Sequence, residues 1–476
     1  MADGRGIARV SIRVVGGLVG MAVAAAVVIG ATLLPIPTFA ISAPVSTVKP
    51  VPTDQQRVCP GPLVSLASDA GAATASTAFG SAGAVYGTDG ADLQTRRLKS
   101  GAETTNRDQA PLAVTVATPS GASEPPLVAG AQTQQAAEDD ITGLAAAACG
   151  EAVADSWLVA GSNSLGQTSL VYLSNPTTVQ ATVNLTIFSE AGAVDAPGAS
   201  GIVVAPGAQK IVPLSGLAPN ATAPVVHVQS AGGQVLASLQ QSFEQGIDPR
   251  GVELTGATGS PDRTQVISGM TIATLAAVSA GQSGEGYSAD LPAVRVFVPG
   301  TQDAEVTVGA VGENGTAAGN SYSTTVKAGV VSEVPLDGLV DGSYTVTVRS
   351  SVPIVAAART SVAATKVRDF AWFVSSQPMN SKFLAAIPTG PGAVIHLANP
   401  GDKDKTVTLT TKEGKASKVA VPAEGSANAA VGRGMLTVTG ADGLVASVSL
   451  AGPGLTTSFA LSPPGPLAAP LDVYPR

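Results

Sequence analysis

Cysteine and histidine are almost absent: the 476 residues hold two of each. Two cysteines exclude a zinc ribbon and a disulfide-dense scaffold. Two histidines leave little for imidazole catalysis or a histidine metal site. Charge is scarce too, at 13% of positions, about half of the usual ~25%. Few groups are therefore available to assemble an acid–base pair. The formal net charge is −8, which argues against a binder of the nucleic-acid backbone. Aromatics are only 4%, too few for an obvious stacking platform. No G-x-S-x-G nucleophile elbow occurs. Gly281-x-x-Gly284-x-Gly286 is a loop pattern, since a nucleotide fingerprint must follow a strand and open a helix. What is abundant is apolar residues (45%), glycine (54) and proline (34). That is a folded, turn-rich chain and not a disordered polyelectrolyte.

One long apolar run stands at the N-terminus. Arg5, Arg9 and Arg13 lie in a basic tail, 1–13, and residues 14–34 carry no charge. As a helix this run spans about 31 Å, enough to cross a bilayer. The basic flank puts the N-terminus in the cytoplasm and the body outside. Pro35 and Pro37 end the helix. The run exceeds a signal-peptide core, so we read a single-pass plasma-membrane anchor, with secretion after cleavage near Ala40 as the alternative. The membrane is thus one expected partner, through residues 14–34. Residues 35–57 read as a proline-rich stalk.

Cys59 and Cys149 both fall in the exported part, and an even pair there reads as one structural disulfide. They bracket a small β region, 58–150. It includes the basic cluster Arg96-Arg97-Leu98-Lys99, read as a solvated loop.

Beyond it the chain echoes itself. Val212-Pro213-Leu214-Ser215-Gly216-Leu217 is repeated as Val334-Pro335-Leu336-Asp337-Gly338-Leu339. Leu173-Ser174-Asn175-Pro176 is repeated as Leu397-Ala398-Asn399-Pro400. The spacing is that of independent β-sandwich modules, far longer than solenoid repeats. Alternation of period two, as in Val183, Leu185 and Ile187, marks half-buried strands. The expected fold is all-β: tandem immunoglobulin-like sandwiches after one transmembrane helix. The modules are placed at 157–243, 291–365 and 383–461. Between them lie 244–290, a junction or shared strands, and the junction 366–382. A tail, 462–476, follows.

Few residues suggest chemistry. His227 and His396 fall on the less apolar faces of their strands and read as surface histidines in separate modules. Glu138-Asp139-Asp140 and Asp402-x-Asp404 lack calcium-loop spacing and read as solvated acids. No metal or cofactor is expected, and no small-molecule substrate is evident. Two segments at module ends are less bland: Asp248–Glu253, with Arg250, and Asp369-Phe370-Ala371-Trp372-Phe373. Either they form an exposed contact patch, or they wedge between sandwiches as a joint, which we favour.

Several motifs stand in a fixed order: Val58-Cys59-Pro60-Gly61-Pro62, Cys149 followed by Trp157-Leu158-Val159-Ala160-Gly161, the Asn-Pro turns, Arg250-Gly251-Val252 and Asp369-Phe370-Ala371-Trp372. Taken in that order, they resemble an actinobacterial exported family known only as a domain of unknown function. The resemblance implies an envelope location and no known activity.

The expected function is a membrane-anchored, extracytoplasmic, non-enzymatic protein of structural or interaction type, with other envelope proteins as partners and no nucleic acid. The alternatives are an array of carbohydrate-binding modules and, less favoured, a glycan-active enzyme whose carboxylates meet only in space.

Overall fold

The computed structural model describes residues 46–48, 53–66, 75–106, 108–122, 124–281, 290–315, 319–365, 367–462 and 471–473. The expected membrane helix 14–34 lies outside the described residues. Among those described, no helix is long and apolar enough to cross a membrane. The chain divides into two compact units, Met1–Pro50 with Ala469–Arg476, and Val51–Ala468. In the first, β1 (Ser46–Val48) pairs antiparallel with a strand at Leu471–Val473.

The second unit is built almost wholly of strands. It begins with β2 (Gln55–Cys59), β3 (Val64–Leu66), β4 (Ser76–Ala78), β5 (Gly83–Thr88), β6 (Leu93–Arg97), β7 (Leu112–Val116), β8 (Val128–Ala137) and β9 (Thr142–Ala148). They form three small sheets, β2-β7-β6, β3-β4 and β5-β8-β9. Cys59 closes β2 and Cys149 follows β9, and the two are disulfide-bonded with Cα atoms 4.0 Å apart. The bond sits in an apolar cluster with Leu112, Val114, Val116 and Val128.

Three pairs of sheets follow. The first contains β10 (Asp155–Leu158), β11 (Gln167–Asn175), β12 (Ala181–Ser189), β13 (Gly192–Ala193), β14 (Ile202–Val204), β15 (Ala208–Pro213), β16 (Val225–Gly232), β17 (Leu236–Gln245) and β18 (Asp248–Gly256). The second contains β19 (Asp262–Ile272), the short helix α1 (Leu275–Ala280), β20 (Ala293–Phe297), β21 (Ala304–Gly312), β22 (Asn320–Val326), β23 (Val331–Pro335), β24 (Gly342–Ala363) and β25 (Arg368–Val374). The third contains β26 (Lys382–Ile387), β27 (Val394–Ala398), β28 (Lys405–Thr411), β29 (Ala416–Val421), β30 (Ser426–Ala430), β31 (Gly434–Thr439), β32 (Val445–Gly452) and β33 (Leu455–Leu461).

One connectivity recurs. In the first pair β14, β12, β16 and β10 form one sheet, and β15-β11-β17-β18 the other; in the third, β26-β31-β28-β29 and β30-β27-β32-β33 match them. The second pair differs only in that β24 is unbroken. Its first half lies between β19 and β21, and its second half between β20 and β25. Where β24 is continuous, the first pair has Gly232-Gly233 at the end of β16, and Gly232 takes a left-handed φ of 82°, which a glycine adopts without steric cost. Immunoglobulin order places the first two strands in one sheet. Here β10 and β11, and β26 and β27, fall in opposite sheets. Alternation in the sequence marks strands and their buried faces, but not which strands pair.

The echoed motifs occupy equivalent places. Val212–Leu217 and Val334–Leu339 leave β15 and β23, which pair with the equivalent strands β11 and β20. Asn175 and Asn399 build the same turn. Their Nδ2 groups donate to Val179 O and Lys403 O, both at 2.8 Å, and their Oδ1 atoms accept from Thr177 N and Gly401 N at 2.9 and 3.1 Å. The boundaries shift from those expected. Segment 244–290 carries β18, which completes the first pair, and β19, which opens the second. Segment 366–382 carries β25, which completes the second.

Each sheet pair encloses its own apolar cluster. In β11, Val171 and Leu173 point into the first pair's core, whereas Leu170 and Tyr172 face the N-terminal sheets. A strand buried on both faces reads as a continuous apolar run.

Candidate functional site: a four-strand joint and a buried Ser–His–Glu line

The strands β9, β18, β25 and β33 are each the edge of a sheet. They pack against one another in a closed ring, β9 to β18 to β25 to β33 and back to β9. Edge strands present unpaired backbone groups, and here buried side chains take those hydrogen bonds. Asp369 on β25 accepts from Leu144 N on β9 (2.9 Å), Thr456 N on β33 (3.1 Å) and its neighbour Phe370 N (3.0 Å). Val252 N on β18 also donates to it. Glu253 on β18 accepts from Leu254 N and from the Thr457 hydroxyl on β33, both at 2.8 Å. Thr457 Oγ1 in turn accepts from Ala146 N on β9 at 2.8 Å. One acidic side chain thus ties all four sheets.

The fit depends on two glycines. Gly143 and Gly251 hold φ near 137° and 136°. A Cβ on either would lie 2.6 or 2.7 Å from Asp369 Oδ1, closer than any side chain tolerates. Arg250-Gly251-Val252 is therefore the socket for Asp369.

Burial pushes both carboxyls well above the usual range. Backbone donors oppose this at Asp369, and Leu254 N–H and the Thr457 hydroxyl oppose it at Glu253. Glu253 Oε2 has no hydrogen-bond partner, so burial favours the protonated form of Glu253. A carboxyl whose folded-state pKa is raised stabilises the fold fully only below its unfolded value, near ~4.3, and that stability is lost as pH rises toward the folded value. Glu253→Gln, a neutral isostere, should match the parent protein at pH 4 and melt several degrees higher at pH 8. Thermal melts across that range, with no divergence between the two chains, would assign the proton elsewhere.

Trp372 lies two residues beyond Asp369 and is 1% exposed. Along β25, Phe370, Trp372 and Val374 enter the first pair's core, while Ala371 and Phe373 enter the second's. The Trp372 indole N–H donates to Gln241 Oε1 at 2.7 Å. The Arg295 and Arg359 guanidiniums stand 4.5 and 5.7 Å from its ring centroid. Arg295, fully buried, donates to Gly161 O and Pro224 O at 2.9 Å and pairs with Glu333 at 2.7 Å. Burial would raise the Glu333 carboxyl, but the two guanidiniums hold it below the usual range. All five residues singled out around this segment thus sit at the joint. Arg250, half-buried, lines a cavity of about 10 Å³ with Asp290, Arg368 and Asp369, about one water in size.

His396 overturns its expectation. It is fully buried, because the outer face of its sheet is covered by the second pair. Its Nδ1 donates to Glu313 Oε2 at 2.6 Å, and its Nε2 shares a 2.7 Å hydrogen bond with Ser449 Oγ. Further donors to Glu313 include Asn428 Nδ2 (2.8 Å), Gly269 N (3.1 Å) and the Thr345 hydroxyl (3.2 Å). Burial alone would raise this carboxyl, but His396 and the other donors hold it below the ordinary range. Spatially this is a Ser–His–acid line. It is closed: Ser449 is 4% exposed, and His396 and Glu313 are fully buried. His227 keeps some exposure, stacked 4.0 Å from Trp157 and bonded to Asp155 at 2.7 Å.

No single cue in the sequence joins Glu313 to His396, which are 83 residues apart. Glu253 had one signal, a lone acid in the apolar run after Gly251. Among the described residues, no group of three or more His, Cys, Asp or Glu is placed to hold a metal ion.

Fold and joint define a β-sheet protein in which four sheets meet at one buried, carboxylate-tied joint, with a disulfide stapling its N-terminal sheets. The chain belongs to the Family of unknown function (DUF5719), whose model matches residues 101–432. No curated protein is similar to it at a significant level. A solved structure described as "Crystal Structure of Thermotoga maritima 1070" is similar at 13% identity, over 24% of this chain and 91% of that one, with a TM-score of 0.20. A tetra-tandem repeat from the extending region of a large adhesion protein is similar at 14% identity, over 86% and 99%, with a TM-score of 0.10. At such scores neither bears on the fold.

Proposed function

We propose that this chain is a membrane-anchored, extracytoplasmic protein of the cell envelope, in the actinobacterial setting that its motifs suggest, and that it works by contact and not by catalysis. Its three sheet pairs are read as tandem sandwich modules descended from one ancestor. The observation that carries the reading is the joint. Four sheets give up their edge strands to a common core, which yields a stiff body for presenting surfaces to other envelope proteins. The disulfide supports an oxidising compartment, and the uncharged run 14–34 after three arginines supports the anchor. Protease added to intact protoplasts should digest the body; protection would overturn the topology.

A second reading, a hydrolase, has one observation in its favour, the Ser449–His396–Glu313 line. A nucleophile must reach its substrate, and this serine is sealed between the second and third sheet pairs. A fluorophosphonate probe should leave Ser449 of the folded chain unlabelled. Labelling there, with hydrolysis of cell-wall glycan or of an ester lost in Ser449→Ala, would replace the contact reading.

A further inference from the structure

We infer that a groove on the flank of the first sheet pair, between β14 and β15, takes an extended acidic segment of a partner protein by strand addition to β14. The inference rests on the contact reading above and gives it a surface and a partner chemistry.

Three observations converge on the groove. First, the fourth strand position is incomplete. In the second and third pairs it is filled by β22 and β29, of 7 and 6 residues, whereas here β14 has only 3. A cavity of about 810 Å³ runs along it, lined by Ile202–Val204 on one wall and Ala208–Pro213 on the other. Second, the wall facing the groove is an open strand edge. Leu185 N donates to Ala199 O on the β12 side. Continuing that alternation, Ile202 and Val204 spend their backbone groups on β12, and Val203 turns its N–H and C=O outward. Val203 also leaves its side chain 50% exposed. An open edge with alternating side chains is the template for strand addition. Third, the charge is wrong for this chain. In a protein of net charge −8, the groove is lined by Lys99 and Lys210 and by no carboxylate. Among the described residues neither lysine has an ion-pair partner. Arg96 stands at the rim, where a Cβ on Gly207 would lie 2.7 Å from its Nη1. The basic cluster Arg96-Arg97-Leu98-Lys99 thus has a place: Lys99 bridges to β15, donating to Gly207 O and accepting from Gln209 N, both at 2.9 Å. Opposed charge sets partner choice and register, and the open backbone edge gives affinity.

The test uses the full chain and a short synthetic peptide alternating Val or Thr with Glu. The same peptide with Lys for Glu serves as control. The acidic peptide should bind, weaken with added salt, and slow amide exchange at Val203. The double reversal Lys99→Glu with Lys210→Glu should weaken binding by about tenfold or more and leave the melting temperature unchanged. Equal binding of the two peptides, or of the reversed protein, overturns the proposal, as does dextran sulfate binding there without protection of Val203, which would mark a polyanion site. A photo-crosslinker at Val203 in cells is compared with one at the exposed Leu165. Specific capture of an envelope protein at Leu165 alone ends the groove and spares the contact reading. Capture at neither, with glycan hydrolysis by the purified chain, ends both.

Discussion

Replacing Asp369 by alanine should unfold the joint and lower stability by about 4 kcal/mol or more, since each buried donor left unpaired costs about 1–3 kcal/mol. The carboxylate accepts from Leu144, Thr456 and Phe370, and Val252 adds a fourth donor. The residue is 1% exposed, so these donors are cut off from bulk solvent. Relief of the repulsion with Glu253 works the other way. It cannot cancel the loss, because one like-charge contact is relieved while four donors lose their acceptor. Asp369→Asn separates the effects. It keeps one carbonyl oxygen but turns an amide N–H₂ toward donors, so about half of the loss should remain. Because the donors come from β9, β25, β33 and β18, the loss should spread across all four sheets. Denaturant unfolding followed by hydrogen exchange would show it as exchange at Leu144 and Thr456 together. Confinement of the loss to β25 would mean that the sheets do not depend on the carboxylate.

The joint also shows where sequence reasoning stops. Period-two alternation marks β12, β20 and β24, and the two Asn-Pro turns mark the ends of β11 and β27, because these signals are local. The segment Asp369–Phe373 stands out in the sequence for its aromatic density, and the same residues form the joint. Its physical role is less local. An aspartate is suited to a buried strand only if other segments bring N–H groups to it, and here three of them, β9, β18 and β33, lie far away in the chain. His396 fails for a related reason. Alternation correctly puts it on the face opposite Ile395 and Leu397, but that face is outer only within its own sheet pair. A neighbouring pair covers it with Gly269 and Glu313, and burial of that kind leaves no mark on the strand itself. The immunoglobulin expectation fails at the same level, since strand number and spacing are written locally and pairing order is not.

Trp372→Ala should cost about 4–5 kcal/mol, within the range for truncating a buried tryptophan, and should act through folding and not through a lost partner. The indole fills the seam between the first and second sheet pairs, so its removal leaves a cavity that two rigid sandwiches cannot close by local collapse. Two further losses add to the cavity. Gln241 Oε1 is left without its donor, and the Arg295 and Arg359 guanidiniums lose the aromatic face at 4.5 and 5.7 Å. Such a face is worth about 0.5–2 kcal/mol to a desolvated cation. Arg295 cannot swing to solvent instead, because Gly161 O, Pro224 O and Glu333 hold it. Trp372→Phe keeps the ring and deletes the N–H, so it should cost only about 1–2 kcal/mol. The ordering Ala well below Phe, and Phe just below the parent chain, is the signature of a buried wedge. Were Trp372 a binding anchor, Trp372→Ala would instead melt like the parent and lose only an envelope crosslink, and the joint would have to be redrawn with β25 turned outward.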